Sequence, residues 1–540
     1  MSETVTTPAG ALPDGTPSAD ETVPDGAPAT LDRVPSGFPP DGARLTLNRH
    51  TRTADAGTVL IGGTPARVAR LKPGAAGALR DGPLTVSDAG SRRLASYLLD
   101  AGLADPDPRS LPPRELADVT VVIPTYRRAR QLDRLLRSVR AGLGRVRIVV
   151  VDDGSGAGTE HASGDKTRDG SGDATEAIVA AARQHGADVV RLPENQGPAD
   201  ARNAGLALVD TPFVLFVDID VVLHPHGVAL LLRHFADPRL AAVAPRVLGM
   251  PRPDDGWILR YENTRSSLDH GESGSLVRPH SPMSWVSTTC LLARVSALGD
   301  GFGHGMRVAE DVDLVWRLTG QGWRVRYEPS AVVQHEHRDS VRAWLGRKFT
   351  YGTGAASLAR RHDGLVAPAV LAPWTAAALA ALAAQRAWSL PVAGAIAVVA
   401  TMRNARRLGS VDKPTVLAAR LTAYGLTSAV AQACALAVRH WWPGVAVVAV
   451  FSPRARRIVV VAALADATWE YVRLRPGLDP VRFALARRLD DLAYGAGVWW
   501  GAWRARSGAA LQPALTGQRP RSRRSWRRPG NVHGAAPDRW

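Results

Sequence analysis

Apolar runs alternate with amphipathic helical patterns through the middle of the chain, from residue 117 to residue 345. Five runs predict β-strands: DVTVVIPTY, VRIVVVDDGS, ADVVRLPEN, FVLFVDIDVVL and LAAVAPRVLG. Helical patterns such as RARQLDRLLRSVRAGL and PADARNAGLALV separate them. Strands that are almost continuously Val, Ile and Leu, with helices between them, indicate an α/β domain with a Rossmann-like mixed, mostly parallel sheet that is covered on both faces.

Polar residues follow these runs, at the strand ends where open α/β sheets bind ligands. Asp218 and Asp220 lie in the apolar stretch PFVLFVDIDVVLHP, where two carboxylates need a cation from the chain or from a ligand. Because side chains alternate along a strand, we expect both carboxylates to point to one side. Hard oxygen ligands at a strand end suit Mn²⁺ or Mg²⁺, which commonly complete their shell with phosphate oxygens.

Other strand ends provide further candidates for nucleotide binding. The segment IPTYRR places Pro124, Tyr126 and Arg128 where the first strand ends. Asp153 precedes a glycine in a turn and can accept hydrogen bonds from a base or a ribose. The segment NQGPADARNAGL begins a helix after a glycine turn, and its polar side chains contact the nucleotide or fix the loops around it: Asn195, Asp200, Arg202 and Asn203.

The N-terminal part of the chain, before residue 117, has a different pattern. Residues 1–43 are rich in Pro, Gly, Thr and acidic residues and predict a disordered leader that lacks the regions of a signal peptide. Residues 44–104 combine short alternating stretches with two helical patterns, which predict a small β-plus-helix module. In order and size, this module resembles the winged-helix peptide-binding domains of peptide-derived cofactor pathways. Residues 105–116 predict a Pro-rich linker, and residues 156–173 predict a surface loop.

The region from 346 to 510 is rich in alanine and predicts helices. Two stretches without charge, 21 residues at 364–384 and 18 residues at 421–438, meet only marginally the length of about 20 residues that a bilayer span needs. Flanking arginines and the paired tryptophans are favoured at a membrane interface: Trp441, Trp442, Trp499 and Trp500. We expect this region to associate with a membrane, with a soluble Ala-rich helical bundle as the alternative.

Charge is unevenly distributed over a chain whose formal net charge is +17. Residues 511–540 predict a disordered basic tail, with seven arginines from Arg519 to Arg539. Such a tail suits an anionic membrane face, and since no nucleic-acid motif accompanies it, we expect no nucleic-acid partner. The chain has only two cysteines, Cys290 and Cys434, which disfavours a disulfide scaffold or a zinc site and favours a reducing, cytoplasmic setting.

Four motifs occur in an order and spacing that resemble glycosyltransferase family 2: VVIPTYRR, VVVDDGS, NQGPADARNAGL and FVDIDVVL. The resemblance covers residues 117–345 and implies an inverting enzyme with the A-type glycosyltransferase fold, which transfers sugar from a nucleoside-diphosphate sugar with the help of a divalent metal. The implied nucleotide-sugar site comprises Pro124, Tyr126, Arg128, Asp152, Asp153, Asp200, Asn203 and Asp218. The implied metal site is Asp218 and Asp220 (Mn²⁺ or Mg²⁺).

The segment VAEDVDLVWRLTGQGWRV contains a candidate general base. Its acidic residues begin a helix, where the positive helix end stabilises them. Members of the family place the base at the second acid of an ED pair, which here is Asp311. An ionised carboxylate can take the proton of the acceptor hydroxyl. The expected single displacement inverts the anomeric centre, so that an α-linked donor gives a β-linked product.

Two departures from the family pattern refine this expectation. The Q-x-x-R-W motif of processive synthases is missing from VRAWLGRKFTYGTGAASLARRH, which disfavours a processive membrane synthase. In VVQHEHRD, His335 and His337 follow a predicted strand, and we assign His335 as a further metal ligand beside Asp220. Arg347 and Lys348 are expected to face the diphosphate.

The order of module, catalytic core and Trp-flanked helical region further resembles the glycosyltransferases of mycofactocin biosynthesis, which decorate a peptide-derived redox cofactor. That resemblance implies UDP-glucose as the donor, a peptide-derived small molecule as the acceptor and a β-linked oligosaccharide product. We expect the protein to be located at the cell membrane, with its catalytic domain facing the cytoplasm. The alternative is a membrane-associated family 2 transferase that acts on a lipid-linked or cell-wall glycan. Deletion of residues 1–110 is expected to impair only transfer to a peptide-derived acceptor.

Overall fold

The computed structural model describes residues 34–156, 174–253, 255–409 and 411–516, apart from Ser36. Most of the predicted leader, the loop at 157–173 and the arginines of the tail lie outside these residues. The described chain forms an N-terminal module, a central α/β domain and a C-terminal helical region.

The N-terminal module contains two small antiparallel sheets and two helices. Its elements are β1 (Arg44–Leu47), β2 (Arg52–Ala54), a 3₁₀ turn (Asp55–Gly57), β3 (Val59–Gly62), β4 (Arg67–Arg70), α1 (Pro73–Arg80), β5 (Leu84–Thr85), α2 (Ala89–Ala101) and β6 (Ala104–Pro106). The sheet orders are β5-β1-β6 and β2-β3-β4. Asp88 caps α2, because its side chain accepts a hydrogen bond from Ser91 N at 2.7 Å. The side-chain oxygen of Ser91 in turn accepts a hydrogen bond from Asp88 N.

The module extends beyond both of the borders that the sequence predicts for it. Gly42 N donates to Val86 O at 2.8 Å, so the end of the predicted leader belongs to the module. Pro106 pairs with Leu45, so residues 105 and 106 are a strand and not the start of the linker. The remaining linker residues include the 3₁₀ turns Pro108–Ser110 and Leu116–Asp118.

Salt bridges anchor the module to the central domain. Arg324, 1% exposed, lies 2.9 Å from Asp100 of α2 and 2.8 Å from Asp237 of the central domain. Asp105 pairs with Arg326 in the same way. Deleting residues 1–110 would leave both buried guanidinium groups without partners from the module, which is destabilising. The deletion therefore acts on the stability of the central domain as well as on the acceptor, so its effect on transfer has to be compared with its effect on folding.

The central domain contains the predicted strands and helices. Its elements are β7 (Val119–Thr125), α3 (Ala129–Leu143), β8 (Arg147–Asp152), α4 (Ala174–Gln184), β9 (Asp188–Arg191), α5 (Pro198–Leu206), β10 (Phe213–Val217), β11 (Val221–Leu223), α6 (Gly227–Arg233), a 3₁₀ turn (His234–Ala236), β12 (Leu240–Gly249), α7 (Trp257–Arg265), β13 (Ser275–Leu276), β14 (Cys290–Arg294), α8 (Val295–Leu298), α9 (Glu310–Gly320) and β15 (Arg324–His335).

These strands form one nine-stranded sheet in the order β11-β15-β12-β14-β10-β7-β8-β9, with β13 paired to β15. Strands β7, β8, β9 and β10 run parallel, whereas β14 runs antiparallel between β10 and β12. Val121 and Ile123 pack with Leu136 on one face, and Val122 packs with Ala199 on the other. Burial on both faces explains the continuous apolar runs and confirms the predicted mixed α/β fold.

The C-terminal region is helical. Its elements are α10 (Val341–Arg361), β16 (Val370–Leu371), α11 (Pro373–Ala383), α12 (Ser389–Arg407), α13 (Pro414–Ala435), a π-helical turn (Leu436–His440), α14 (Trp442–Phe451), α15 (Pro453–Leu474), α16 (Pro480–Arg504), a 3₁₀ turn (Ala509–Leu511) and β17 (Ala514–Leu515). Helix α10 crosses the border predicted at 345. Strand β17 pairs in parallel with β16, so residues 511–516 are structured, which corrects the predicted start of the disordered tail.

Helices α10 and α16 approach each other closely through glycines. A Cβ atom at Gly352 would lie 2.1 Å from the carbonyl oxygen of Tyr494, and one at Gly497 would lie 2.0 Å from that of Phe349. Such short separations are possible only without a side chain. This contact fixes the helical region to α10 and, through it, to the central domain.

We expect Gly352→Ala to lower the free energy of unfolding by about 1–3 kcal/mol, because the added methyl group must separate the two helix backbones. Gly346 is a matched control in the same helix, since a Cβ there would meet nothing within 4 Å. Gly346→Ala should be neutral or stabilising by about 0.5–1 kcal/mol. Thermal unfolding of both variants checks the difference, and equal effects would contradict the close packing.

Candidate active site

A cleft of about 1290 Å³ opens at the carboxyl end of the parallel strands. It brings together seven of the predicted site residues: Pro124, Tyr126, Arg128, Asp153, Asp218, Asp220 and Asp311. These residues come from β7, α9 and the loops after β7, β8 and β10. Ligand-binding residues collect at this edge of open α/β sheets because the strand ends meet there.

The D-x-D pair lies in the turn between β10 and β11, not within a strand as the sequence pattern predicts. Asp218 N donates to Thr289 O at 2.9 Å, and Asp220 O accepts from Glu336 N at 2.9 Å. These backbone contacts hold the turn between β14 and the end of β15. Both carboxylates line the cleft because of the turn, and strand alternation plays no part.

The chain itself supplies cations for this pair. Arg202 of α5, 3% exposed, donates to Asp218 Oδ1 at 2.6 Å and to Glu310 Oε1 at 2.8 Å. Arg128 Nη1 lies 3.4 Å from Asp220 Oδ2, and His335 Nε2 lies 3.4 Å from Asp220 Oδ1. The sequence alone points to a metal as the neutralising charge, whereas the structure adds a buried arginine that links the D-x-D turn to the helix carrying the candidate base.

The carboxyls of the cleft differ in their tendency to ionise. Burial opposes ionisation of Asp220, but His335, Arg128 and Arg338 outweigh it and hold the pKa of Asp220 well below its usual range. Burial and the adjacent charge of Glu310 raise the pKa of Asp311 to about 7. Asp220 is therefore a permanent anion near neutral pH, while Asp311 can exchange a proton there.

Asp311 is positioned by the first turn of α9. Ala309, the residue before the helix, has a left-handed backbone with φ 64°. Asp311 Oδ1 accepts from Val312 N at 2.8 Å, and Glu310 is held by Arg202. Asp313 fixes the same helix through His362 at 2.8 Å and Arg361 at 2.9 Å, both at the end of α10. The candidate base thus stands on a helix that is anchored on two sides.

The raised pKa of Asp311 predicts the pH dependence of sugar transfer. A base acts only when it is deprotonated, so kcat/KM should fall below pH ~7 as Asp311 takes up a proton. Glu310→Gln removes a neighbouring negative charge, so the pKa of Asp311 should fall and the acid limb should move down by roughly one pH unit. Glu272→Gln, at an exposed carboxylate, is the control. An unchanged limb in the Glu310 variant would contradict the assignment.

Asp153 and Asp152 both fix loops at the end of β8, and Asp153 also faces the cleft. Asp153 Oδ1 accepts from Gln196 N at 2.7 Å, and Oδ2 accepts from Gly197 N at 2.9 Å. Gly197 has a φ of 98°, which suits glycine before the proline that begins α5. Asp152 is 1% exposed, and its Oδ1 accepts from Ser155 N at 3.2 Å. Of the two, only Asp153 is among the described residues that line the cleft.

Asp200 and Asn203 fix a loop, which is one of the two roles expected for them from the sequence. Asp200 accepts from Gly305 N at 2.9 Å and lies 2.7 Å from His304 Nδ1. Asn203 bonds to both backbone groups of Phe302, at 2.7 and 2.9 Å. Their polar atoms are used to hold the loop of residues 299–305 against α5, and neither residue lines the cleft as described.

His335 lies beside the D-x-D turn. Its Nδ1 is 3.4 Å from His337 Nδ1, which leaves Nε2 facing Asp220. Within the described residues, no three His, Cys, Asp or Glu side chains are grouped so as to enclose a metal ion by themselves. The donors present, two carboxylates and an imidazole, match the ions that bind through one or two carboxylates together with substrate phosphates.

The cleft also contains residues that the motifs do not identify. Arg347 and Lys348 both line it, as expected, and Lys348 is 4% exposed and paired with Glu262 at 2.8 Å and Asp490 at 3.3 Å. The additional lining residues include Trp285, Arg307, Trp316 and Arg338. Arg338 directly follows the HEH segment, which is the one sequence signal that could have identified it.

Comparisons with known proteins agree with this architecture. A family model described as glycosyl transferase family 2 matches residues 120–163 and 167–301. A pre-mycofactocin glycosyltransferase of Mycobacterium tuberculosis (strains CDC 1551 / Oshkosh and ATCC 25618 / H37Rv) is 38% identical over 485 residues, which cover 88% of this chain and 98% of that protein.

More distant matches cover less of the chain or are weaker. The poly-beta-1,6-N-acetyl-D-glucosamine synthase of Staphylococcus aureus (strain COL) is 25% identical over 228 residues, which are 40% of this chain and 50% of that protein. The solved structure of the mannosyltransferase PcManGT from Pyrobaculum calidifontis, in complex with GDP-Man and Mn²⁺, has a TM-score of 0.34 and 21% identity, covering 60% of this chain and 89% of that one.

The chain therefore belongs to glycosyltransferase family 2 and is a glycosyltransferase with the predicted A-type fold. Over nearly its whole length it is similar to the pre-mycofactocin glycosyltransferase, whose match extends beyond the catalytic domain.

Proposed function

We propose that this glycosyltransferase moves a hexose, glucose from UDP-glucose, onto a peptide-derived precursor of the redox cofactor mycofactocin and forms a β-linked oligosaccharide. The full-length relative named pre-mycofactocin glycosyltransferase supports the acceptor. The observation that carries the chemistry is the cleft that holds Asp218, Asp220 and Asp311 together.

The proposed reaction is a single displacement. Asp311 takes the proton of the acceptor hydroxyl, whose oxygen attacks the anomeric carbon from the face opposite the diphosphate. The bond from the anomeric carbon to the diphosphate oxygen breaks, so the α-linked donor gives a β-linked product. Arg128, Arg338 and Arg347 line the cleft on the side of the D-x-D turn and oppose the negative charge of the departing diphosphate.

We propose Asp218, Asp220 and His335 as the residues that hold a divalent ion, Mn²⁺ or Mg²⁺. The low pKa of Asp220 keeps a carboxylate ionised there, and the hydrogen bond of Asp218 to Arg202 uses Oδ1. When bound, the ion neutralises charge on the diphosphate. Calorimetry of the purified protein with Mn²⁺ and UDP should show tighter UDP binding with the ion than without it. No uptake of Mn²⁺, Mg²⁺ or UDP would remove this metal site.

Transfer by the purified chain tests the acceptor. Incubation with UDP-glucose and a peptide-derived mycofactocin precursor should add mass increments of one hexose, measured by mass spectrometry. In cells that lack the protein, hexosylated forms of the cofactor should disappear from the pool. An unchanged pool, or transfer only to lipid-linked or cell-wall acceptors, would replace the proposed acceptor with the alternative one.

We also propose that the C-terminal helices lie on the cell membrane with the catalytic domain facing the cytoplasm. Of the 30 large apolar side chains that are exposed in the described chain, 26 lie between Trp388 and Trp503. Soluble monomers rarely expose large contiguous apolar patches, and the concentration of exposed apolar side chains in this one region supports a surface that faces lipid. The helix Pro414–His440 is long and apolar enough to cross a bilayer, and 22% of its apolar window is buried, unlike a soluble core helix. The two free cysteines fit a reducing compartment.

Helix α14 offers a direct test of membrane contact. Val450 and Phe451 are 69% and 82% exposed at its end. The full chain should co-sediment with vesicles that contain anionic lipid, and the double variant Val450→Glu and Phe451→Glu should lose most of this binding. Val68→Glu, at an exposed apolar residue of the N-terminal module, is the control. Equal sedimentation with and without vesicles would contradict membrane association.

A further inference from the structure

The cleft does not end at the candidate base. It continues along one face of α10, where Arg347, Tyr351, Ala355 and Leu358 line it at helical spacing. Arg347, the first of these, interacts electrostatically with Asp218 and Asp220. The cleft therefore has one end at the D-x-D turn and extends away from it along the helix.

The middle of α10 packs against the loop that carries the base. A Cβ atom at Gly354 would lie 3.0 Å from both Ala309 Cβ and Val308 Cγ1, closer than ordinary van der Waals contact, so α10 and this loop pack tightly together. Asp311 follows this loop directly. The candidate base thus lies beside α10, and the part of the cleft formed with the C-terminal helices is a separate extension.

The opposite wall of this extension comes from α13. Tyr424, Ser428 and Gln432 line it at intervals of four residues, which places them on one face of the helix. Gln432 also holds the floor, because its Oε1 accepts from Val370 N at 2.7 Å. Polar side chains in an otherwise apolar helix characteristically face a cavity or a partner. We call this space between α10 and α13 the acceptor groove.

The end of the acceptor groove is aromatic, and its arginine, Arg439, is ion-paired with Asp490 at 3.1 Å and Asp491 at 2.8 Å. Tyr494 of α16 lines it, and the guanidinium of Arg439 stacks 4.0 Å from the centroid of that ring. Arg439 is supplied by the π-helical turn Leu436–His440, a backbone form that is frequent at functional sites. The floor is apolar and includes Leu365, Val366 and Val370.

We propose that this groove binds the body of the acceptor molecule, while the acceptor hydroxyl reaches Asp311. The inference rests on the proposed transfer reaction and specifies its acceptor subsite. The apolar floor and tyrosine walls fit an uncharged small molecule with an apolar or aromatic body and a hydroxyl group at one end. The groove does not suit the diphosphate of a nucleotide sugar, because Arg439 is already paired with Asp490 and Asp491, whereas the arginines that suit a diphosphate lie at the other end of the cleft.

Variants of the α13 wall test this subsite. Tyr424→Ala removes a ring that is 70% exposed, and Ser428→Leu narrows the groove. Each should raise the KM for the acceptor by about tenfold, the loss expected for a few apolar or ring contacts. The KM for UDP-glucose and the slow hydrolysis of UDP-glucose without acceptor should stay unchanged. Val430→Ala, at an exposed residue of the same helix that does not line the cleft, is the control.

An unchanged KM for the acceptor in Tyr424→Ala overturns the assignment of the groove. If Ser428→Leu does not fold, the result for Tyr424→Ala decides by itself. A parallel rise in the KM for UDP-glucose also overturns it, because the groove would then serve the donor. The proposed function is tested separately by the wild-type enzyme. It is contradicted if the wild type hydrolyses UDP-glucose but does not glycosylate the peptide-derived precursor. In that case, the KM values of the same variants are measured with the acceptor that the wild type does use, and these values test the groove.

Discussion

Replacement of Asp311 by Asn should lower the rate of sugar transfer by about 10³-fold, within the range of 10²–10⁴ that general base catalysis commonly contributes. The amide keeps the shape of the side chain but cannot take a proton from the acceptor hydroxyl. Asp311 has no ion pair or side-chain partner among the contacts described, and its hydrogen bond comes from Val312 N at 2.8 Å. The substitution should therefore leave the fold and the binding of UDP-glucose unchanged.

Two measurements separate loss of the base from loss of the site. Calorimetry should give the same UDP affinity for Asp311→Asn and wild type, whereas single-turnover transfer should differ by the full factor. Asp363→Asn, at an exposed carboxylate after α10, serves as the matched control and should transfer sugar normally. Turnover within tenfold of wild type in Asp311→Asn would assign the base to another group.

The features of the fold that could be predicted from the sequence are those that local patterns determine. Strands such as Phe213–Val217 are buried along their whole length, so their composition identifies them. Strand Cys290–Arg294 is short and directly follows two polar residues, Thr288 and Thr289. Its antiparallel position between β10 and β12 depends on tertiary pairing, which the hydrophobic periodicity of the sequence does not show. The prediction of the α/β class was therefore confirmed while the full strand order stayed beyond sequence reasoning.

The candidate site shows the same division between local and tertiary information. The motifs identify Asp218, Asp220 and Asp311 because residue type and strand ends are visible in the sequence. The partners of these residues are not visible, since Arg202 and Glu310 are separated by 108 positions yet lie 2.8 Å apart. The acceptor groove is likewise formed by α10, α13 and α16, whose mutual packing no periodic pattern specifies.

The second large effect is expected at Arg202, which links the D-x-D turn to the helix of the base. Arg202→Met removes the one guanidinium that lies 2.6 Å from Asp218 and 2.8 Å from Glu310. Leaving buried carboxylates without their cation commonly lowers stability by about 3–5 kcal/mol. Arg202 also lowers the pKa of Asp311, which burial and Glu310 raise, so its removal should push the pKa of Asp311 above about 7.

The expected outcome is a lower unfolding midpoint together with an acid limb of kcat/KM that moves to higher pH, so activity at neutral pH falls. Arg147→Met is a stringent control, because Arg147 also contacts two carboxylates, Asp188 at 3.4 Å and Asp210 at 2.9 Å, but at an exposed site. Exposed pairs contribute about 0–1 kcal/mol, so this variant should unfold almost like wild type.

The double variant Arg202→Met and Glu310→Gln should recover part of the lost stability, since one unpaired charge is then gone. Additive losses in that double variant would mean that Arg202 and Glu310 act independently, and the proposed connection between the diphosphate end of the cleft and its base would fail.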